Sequence, residues 1–242
     1  MRHYRIAAFA AGVALAAGVT VAIAGTPFGG DDLGTIPSDA PKGPVTKCET
    51  GVAKAAGKLV GAVTKCTASR ASGKLADDTA EDTCETAALT KFEATKTAGC
   101  AGCTNLSALG TAIVANLDSN NNKVACTATG TPFGGDDTGN IPADAPKGPV
   151  TKCEGLVGKG VSKLVGSIIK CHGSRVAGKL ADDSAENTCE TAAKTKFGTT
   201  KTAGCDACLG SLSALADFVE GQADGALNAI VWCGSPSGAF LN

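Results

Sequence analysis

Beyond residue 24 this sequence has no methionine and no tyrosine, a single histidine (His172) and a single tryptophan (Trp232). Each shortage narrows the field. With aromatic residues at 4% of the chain, a large aromatic core is out of reach. Without methionine, a copper site loses its thioether donors. A lone histidine with no serine, cysteine or carboxylate visibly set beside it is a poor start for nucleophilic or acid–base catalysis. No apolar run after residue 24 is long enough to span a bilayer, and basic residues are not in excess, which argues against nucleic acid as a partner.

What is present begins with a short basic stretch, MRHYR, followed by IAAFAAGVALAAGVTVAIA and then Gly25. A charged start, an apolar core and an Ala22-Ile23-Ala24 site read as a secretory signal peptide over residues 1–24. Its removal leaves 20 basic against 23 acidic residues, a net charge of −3. The expected location is therefore outside the cytoplasm, extracellular or periplasmic, with no membrane association after cleavage. Twelve cysteines in such a chain point to disulfides, and their even number allows full pairing.

The chain after the signal is a tandem duplication. GTPFGGDDLGTIPSDAPKGPVTKCE and GTPFGGDDTGNIPADAPKGPVTKCE align at an offset of 105 residues, and 55 of the 78 positions from Thr26 to Cys103 recur. Five cysteines keep that offset: Cys48 and Cys153, Cys66 and Cys171, Cys84 and Cys189, Cys100 and Cys205, Cys103 and Cys208; the sixth pair, Cys126 and Cys233, has slipped by two. The expected organisation is a leader over 25–44, a cysteine-rich module over 45–129, a second leader over 130–149 and a second module over 150–242. TPFGGDD, DAPKGPVTKCE and the six-cysteine spacing resemble cysteine-rich tandem repeats of secreted proteins from environmental bacteria. That resemblance spans the whole chain after the signal and implies no activity, cofactor or site residue.

The leaders are rich in Gly, Pro and Asp and read as extended linkers. In the first module, Val45, Cys48, Val52, Ala55, Leu59, Ala62 and Cys66 recur at alternating steps of three and four, one stripe of a first helix, with Lys47, Lys54, Lys58 and Lys65 on its solvated side. Gly73 marks a break, after which Thr79 can cap a second helix with Glu81 and Asp82 in its first turn and Cys84, Ala88 and Phe92 on one face. LSALGTAIVANL, matched by LSALADFVEGQA, gives a third. The expected fold is all-α: two small disulfide-stapled modules, each an α-hairpin plus a third helix, on extended Gly/Pro-rich leaders.

Cys48 and Cys66 are 18 residues apart on one helix, about 27 Å, and cannot pair with each other. Around the turn near Leu75, Cys66 and Cys84 are equidistant and fall opposite one another. Cys48 faces the stretch holding Cys100 and Cys103. This geometry favours Cys66 with Cys84, Cys48 with Cys100 or Cys103, and the remaining member of that pair with Cys126; Cys171 with Cys189 follows in the second copy. Such staples suit helices that carry Gly155, Gly158, Gly160 and Gly166, each costing roughly 1 kcal/mol relative to Ala, against about 2 to 4 kcal/mol gained per disulfide.

The remaining candidate chemistry divides residue by residue. The CxxC stretches lack the histidine that a haem attachment requires, since Thr104 and Leu209 follow them, and lack the second pair that zinc favours. LDSNNN at 117–122 imitates half of a calcium loop, but Lys123 stands where Gly is needed and Thr129 where Glu is. The Asp31-Asp32 and Asp136-Asp137 pairs could hold a divalent ion yet read first as solvated acidic linker. His172 reads as a surface residue, because Thr67 occupies its place in the first copy. The expected function is thus a secreted, non-enzymatic structural or binding protein, self-associating head to tail through its leaders, with no metal or cofactor. The alternative is an envelope metal-binding protein of copper type, or a thiol-redox protein, using the CxxC pairs.

Overall fold

The computed structural model describes residues 25–100 and 105–233; the expected signal peptide and Cys103 lie outside them. The described chain is all-α apart from two short hairpins. Its order is β1 (Thr26–Gly29), β2 (Asp32–Ile36), α1 (Pro44–Ala71), α2 (Asp78–Glu93), α3 (Leu106–Asn120), then β3 (Thr131–Gly134), β4 (Asp137–Ile141), α4 (Pro149–Val176), α5 (Asp183–Phe197), α6 (Leu212–Asp224) and α7 (Ala226–Val231).

Local chemistry sets the boundaries. α1 and α4 each start with Pro at the first helical position, where a missing N–H leaves nothing unpaired. Asp39 and Asp144 cap those same turns from the leaders: each carboxylate accepts from two backbone N–H groups and a threonine hydroxyl, at 2.8, 3.1 and 2.8 Å for Asp39. α1 stops at Gly73, whose φ of +66° suits a residue without Cβ. The cap of α2 is Asp77 rather than Thr79: its side chain accepts from the Ala80 N–H at 2.9 Å. The four lysines of α1 are exposed as expected.

The leaders depart from the linker expectation. Each folds into an antiparallel hairpin through a Gly-Asp turn, Gly30-Asp31 or Gly135-Asp136, and buries one aromatic side chain, Phe28 or Phe133. Each hairpin also seats against the end of a preceding or following third-helix region. β2 is clasped to the C-terminal end of the described chain, where Asn228 Nδ2 donates to the Leu33 carbonyl at 2.8 Å and the Thr35 N–H donates to the Trp232 carbonyl at 2.6 Å. β4 is clasped to the first copy: the Thr138 hydroxyl donates to the Asp118 carbonyl at 2.9 Å, and the Asn140 N–H to the Ala125 carbonyl at 2.9 Å. The first leader therefore serves the second copy, and the second leader serves the first.

α1 and α4 pack along each other and carry the joint between copies. The helix glycines do more than cost propensity there: a methyl on Gly57 would lie 3.2 Å from Ile169, and one on Gly158 3.2 Å from Thr64. The core follows the crossing, since Phe28, Val176, Val231 and Trp232 pack into one cluster with Val52, Leu59, Val63, Phe92 and Leu109.

The disulfides repeat this pattern. Cys66–Cys84 and Cys171–Cys189 staple hairpin helices within a copy, as the spacing predicts, and of the two partners left open for Cys48 the bond goes to Cys100, with Cys153–Cys205 its equivalent in the second copy. Cys126, expected to pair within its own module, bonds instead to Cys208 of the other copy, 82 residues away. The reason is steric placement: Cys126 follows α3 directly into the second leader, on the side where α4 and the stretch after α5 come together. Cys233 is also disulfide-bonded, and no cysteine among the described residues is free. Cys205 and Cys208 are bonded to different partners, so in this state they form neither a CxxC disulfide nor a thiolate pair.

Candidate metal centre

Four carboxylates in each copy are drawn into the interior by this exchange of leaders. In the second copy they are Asp32 at the start of β2, Glu186 and Glu190 one turn apart on α5, and Asp224 at the end of α6; all are buried, Asp32 being 6% exposed and Glu186 fully enclosed. In the first copy the equivalents are Asp137 on β4, Glu81 and Glu85 on α2, and Asp118 near the end of α3. Each centre thus needs one residue from the other copy's leader. The sequence places Glu81 in the first turn of a helix, where it suits the dipole; its side chain is also fully enclosed.

His172, expected at the surface, is 1% exposed and stands at the middle of the second centre. It projects from α4 with its ring edge-on to Phe28, centroids 5.8 Å apart. Its Nε2 lies 3.0 Å from Asp32 Oδ1, 3.0 Å from Glu190 Oε1 and 3.2 Å from Asp224 Oδ1. A ring nitrogen carries one proton at most, so it can serve one of the three in full. Three acceptors thus compete for one N–H, and each contact favours the protonated ring. Oxygens grouped around a nitrogen's axis at this distance are arranged as neighbouring ligands of one ion are, for bonds of about 2.0–2.2 Å place adjacent ligands about 3 Å apart.

One ligand atom each from Asp32, His172, Glu186 and Glu190 falls within 4.8 Å of all the others, and Glu190, Glu220 and Asp224 form a second such group. Lys194 pairs with Glu220 at the outer edge, and Arg175 Nε is 3.8 Å from Glu186.

Electrostatics reflect the crowding. Burial alone would lower the His172 pKa, but its contacts with Asp224, Asp32 and Glu190 push it up to about 11. Burial first, and neighbouring negative charge second, raises Glu186 to about 8. Glu190 reaches about 7, burial outweighing its contact with His172, and Asp224 is raised mainly by burial. In the first centre burial lifts Glu81 to about 8, Glu85 to about 9, Asp118 to about 7 and Asp137 to about 6, each with help from the other acids. Thr67 takes the place of His172 there, and its hydroxyl donates to the Val63 carbonyl at 3.2 Å.

The two Asp pairs of the leaders split. Asp32 and Asp137 turn inward to the centres, whereas Asp31 and Asp136 stay exposed. LDSNNN forms no calcium loop, but its Asp118 is a member of the first centre. Spacing could not reveal these sets, because their members come from separate segments. A signal did exist in the repeat itself: aligning α3 with α6 one residue beyond Leu117 matches Asp118 to Asp224, and all four acids then recur while the central residue changes from Thr67 to His172. No family model, curated protein or solved structure matches this chain.

Proposed function

We propose that this is a secreted, non-catalytic binding protein whose His172 centre holds one divalent ion of the zinc or manganese class. The observation that carries the reading is a single buried imidazole nitrogen ringed by three carboxylate oxygens at 3.0–3.2 Å, more acceptors than its one N–H can serve. One nitrogen with several carboxylate oxygens is a borderline-to-hard donor set, suited to Zn²⁺ or Mn²⁺ rather than to soft Cu(I). With the cysteines in disulfides, a thiolate-based copper site has no support in this state. The burial of the ligands favours storage or structural binding over catalysis.

Location fits the same reading. The disulfides belong to an oxidising compartment, no helix of the described residues is long and apolar enough to cross a membrane, and residues 1–24 have the features of a signal peptide.

Because His172 is the only histidine after residue 24, its ring is a clean reporter. Nitrogen NMR of the oxidised protein, titrated with Zn²⁺ after chelation, should show the imidazolium lose its Nε2 proton and that nitrogen shift at one equivalent. An imidazolium unchanged by Zn²⁺ and Mn²⁺ at neutral pH removes the proposal.

A further inference from the structure

Two cavities related by the repeat lie along the crossing of α1 and α4, and they differ in size. One, of about 140 Å³, is lined by Thr67, Ala71, Ala125 and Phe133 together with α3, α4 and α6; the other, of about 60 Å³, is lined by His172, Val231 and Trp232. Backbone pairing fixes the correspondence. The Ala125 carbonyl accepts from the Asn140 N–H at 2.9 Å, and the Trp232 carbonyl from the Thr35 N–H at 2.6 Å, so Ala125 is the counterpart of Trp232. Phe133 matches Phe28, Ala71 matches Val176 and Thr67 matches His172, each pair 105 residues apart. Around Phe28 the space is filled: the Trp232 indole lies against it, ring centroids 6.0 Å apart, with Val176 in the same cluster. Around Phe133 the cluster holds only Ala71 and Ala125, with Ile141 against it. The larger cavity thus borders three small side chains where the other copy has an indole, an isopropyl group and an imidazole.

We infer that the cavity beside Phe133 is a binding site for a neutral single-ring aromatic molecule of the phenol class, held where the Trp232 ring sits in the other copy. The volume fits, since an apolar cavity of about 150 Å³ stays dry and takes up benzene. The lining fits as well. Val60, Ile113, Val161 and Leu215 give it buried apolar walls, and most of its polar side chains are already spent: Thr64 and Thr67 donate to the carbonyls of Val60 and Val63 at 2.8 and 3.2 Å, and Asn116 donates to Gln222 at 2.7 Å. Little is left to hold a cluster of waters. Asn121 is the exception that selects the guest: it lines the cavity, and its Nδ2 is buried without a hydrogen bond, a donor for an oxygen on the ring. Glu154, a wall residue 5% exposed, disfavours an anionic ring. Phe133 offers the guest the tilted aromatic contact that Phe28 makes with Trp232. Lys123, exposed, marks the side from which it enters.

Fluorine NMR of para-fluorophenol titrated with the full-length oxidised protein tests this, and its outcome does not depend on the ion proposed at His172. One saturable site per chain is expected, with a Kd of about 10⁻³ M or tighter, and with nuclear Overhauser contacts from the ring to the methyl groups of Ala71 and Ala125. Ala125→Trp, which supplies the ring that the second copy carries, should weaken binding about tenfold or more. Asn121→Leu, which removes the donor and keeps the bulk, should weaken para-fluorophenol about fivefold or more and leave fluorobenzene within about twofold. The Overhauser contacts and Asn121→Leu keep the test decisive if Ala125→Trp fails to fold. No saturation at roughly five times that Kd, ring contacts outside this cavity, undiminished binding to folded Ala125→Trp, or para-fluorophenol binding unchanged by Asn121→Leu overturns the inference.

Discussion

Replacing Glu81 by glutamine should make the metal-free protein more stable at neutral pH, the reverse of what removing a buried charged residue usually does. Burial and the neighbouring acids hold the Glu81 carboxyl up at about 8 in the fold, against 4.5 in the unfolded chain. Between these values the native state holds a proton that the unfolded state has released, so stability falls as pH rises, by about 1.4 kcal/mol per pH unit for one such group. From pH 4.5 to pH 7 that amounts to about 3 kcal/mol at Glu81. Glu85, at about 9, and Asp118, at about 7, act in the same direction, while His172 keeps its contribution below pH 6.5 and loses it only as pH rises through about 11. A glutamine amide carries no proton to lose, so the advantage of Glu81→Gln should be near zero at pH 4.5 and about 1 to 3 kcal/mol at pH 7, the lower figure allowing for an amide that also lacks partners. Guanidinium unfolding of the chelated, disulfide-intact protein, followed by Trp232 fluorescence at several pH values, measures this directly. A wild-type stability that is flat or rising between pH 4.5 and 7, or a Glu81→Gln variant no more stable than wild type at pH 7, would refute the electrostatic reasoning.

The covalent crossing is checked by peptide mapping without reduction: a fragment joining Cys126 to Cys208 is expected, and pairing of Cys126 with Cys103 or Cys100 would contradict the leader exchange. Cys126→Ser with Cys208→Ser should cost about 2 to 4 kcal/mol while leaving helical circular dichroism unchanged under native conditions. Phe28→Ala should cost about 3 to 5 kcal/mol, because this ring anchors the first hairpin against His172 and Trp232, and should weaken Zn²⁺ binding by loosening Asp32; unchanged affinity would separate the hairpin from the centre. Gly57→Leu should overpack the joint of α1 with α4 at Ile169, a loss of about 1 to 3 kcal/mol seen as a lower denaturation midpoint, and a neutral result would mean that the helices do not cross there.

The helices and the Cys66–Cys84 and Cys171–Cys189 disulfides are legible in the sequence because they obey local rules. A stripe at steps of three and four, a glycine break and equal distances from one turn are all visible within a single copy. The leader hairpins are not, since TPFGGDD reads as a run of helix breakers and only the packing of Phe28 and Phe133 on distant elements turns it into structure. The partner of Cys126 escapes spacing within one copy, because the chain passes from α3 into a leader that seats on the first copy while the first leader seats on the second. The acids are hidden in a similar way. Glu81 in a first helical turn suits the helix dipole whether or not it is exposed, and His172 has no sequence neighbour that betrays three carboxylates arriving from β2, α5 and α6.

The most direct test of the central claim is anomalous diffraction at the zinc edge from crystals of the oxidised protein grown with Zn²⁺. The account predicts a zinc peak within bonding distance of His172 Nε2 and the carboxylates of Asp32, Glu190 and Asp224, and none at Thr67. A His172 ring hydrogen-bonded to one carboxylate with no metal between them would contradict it.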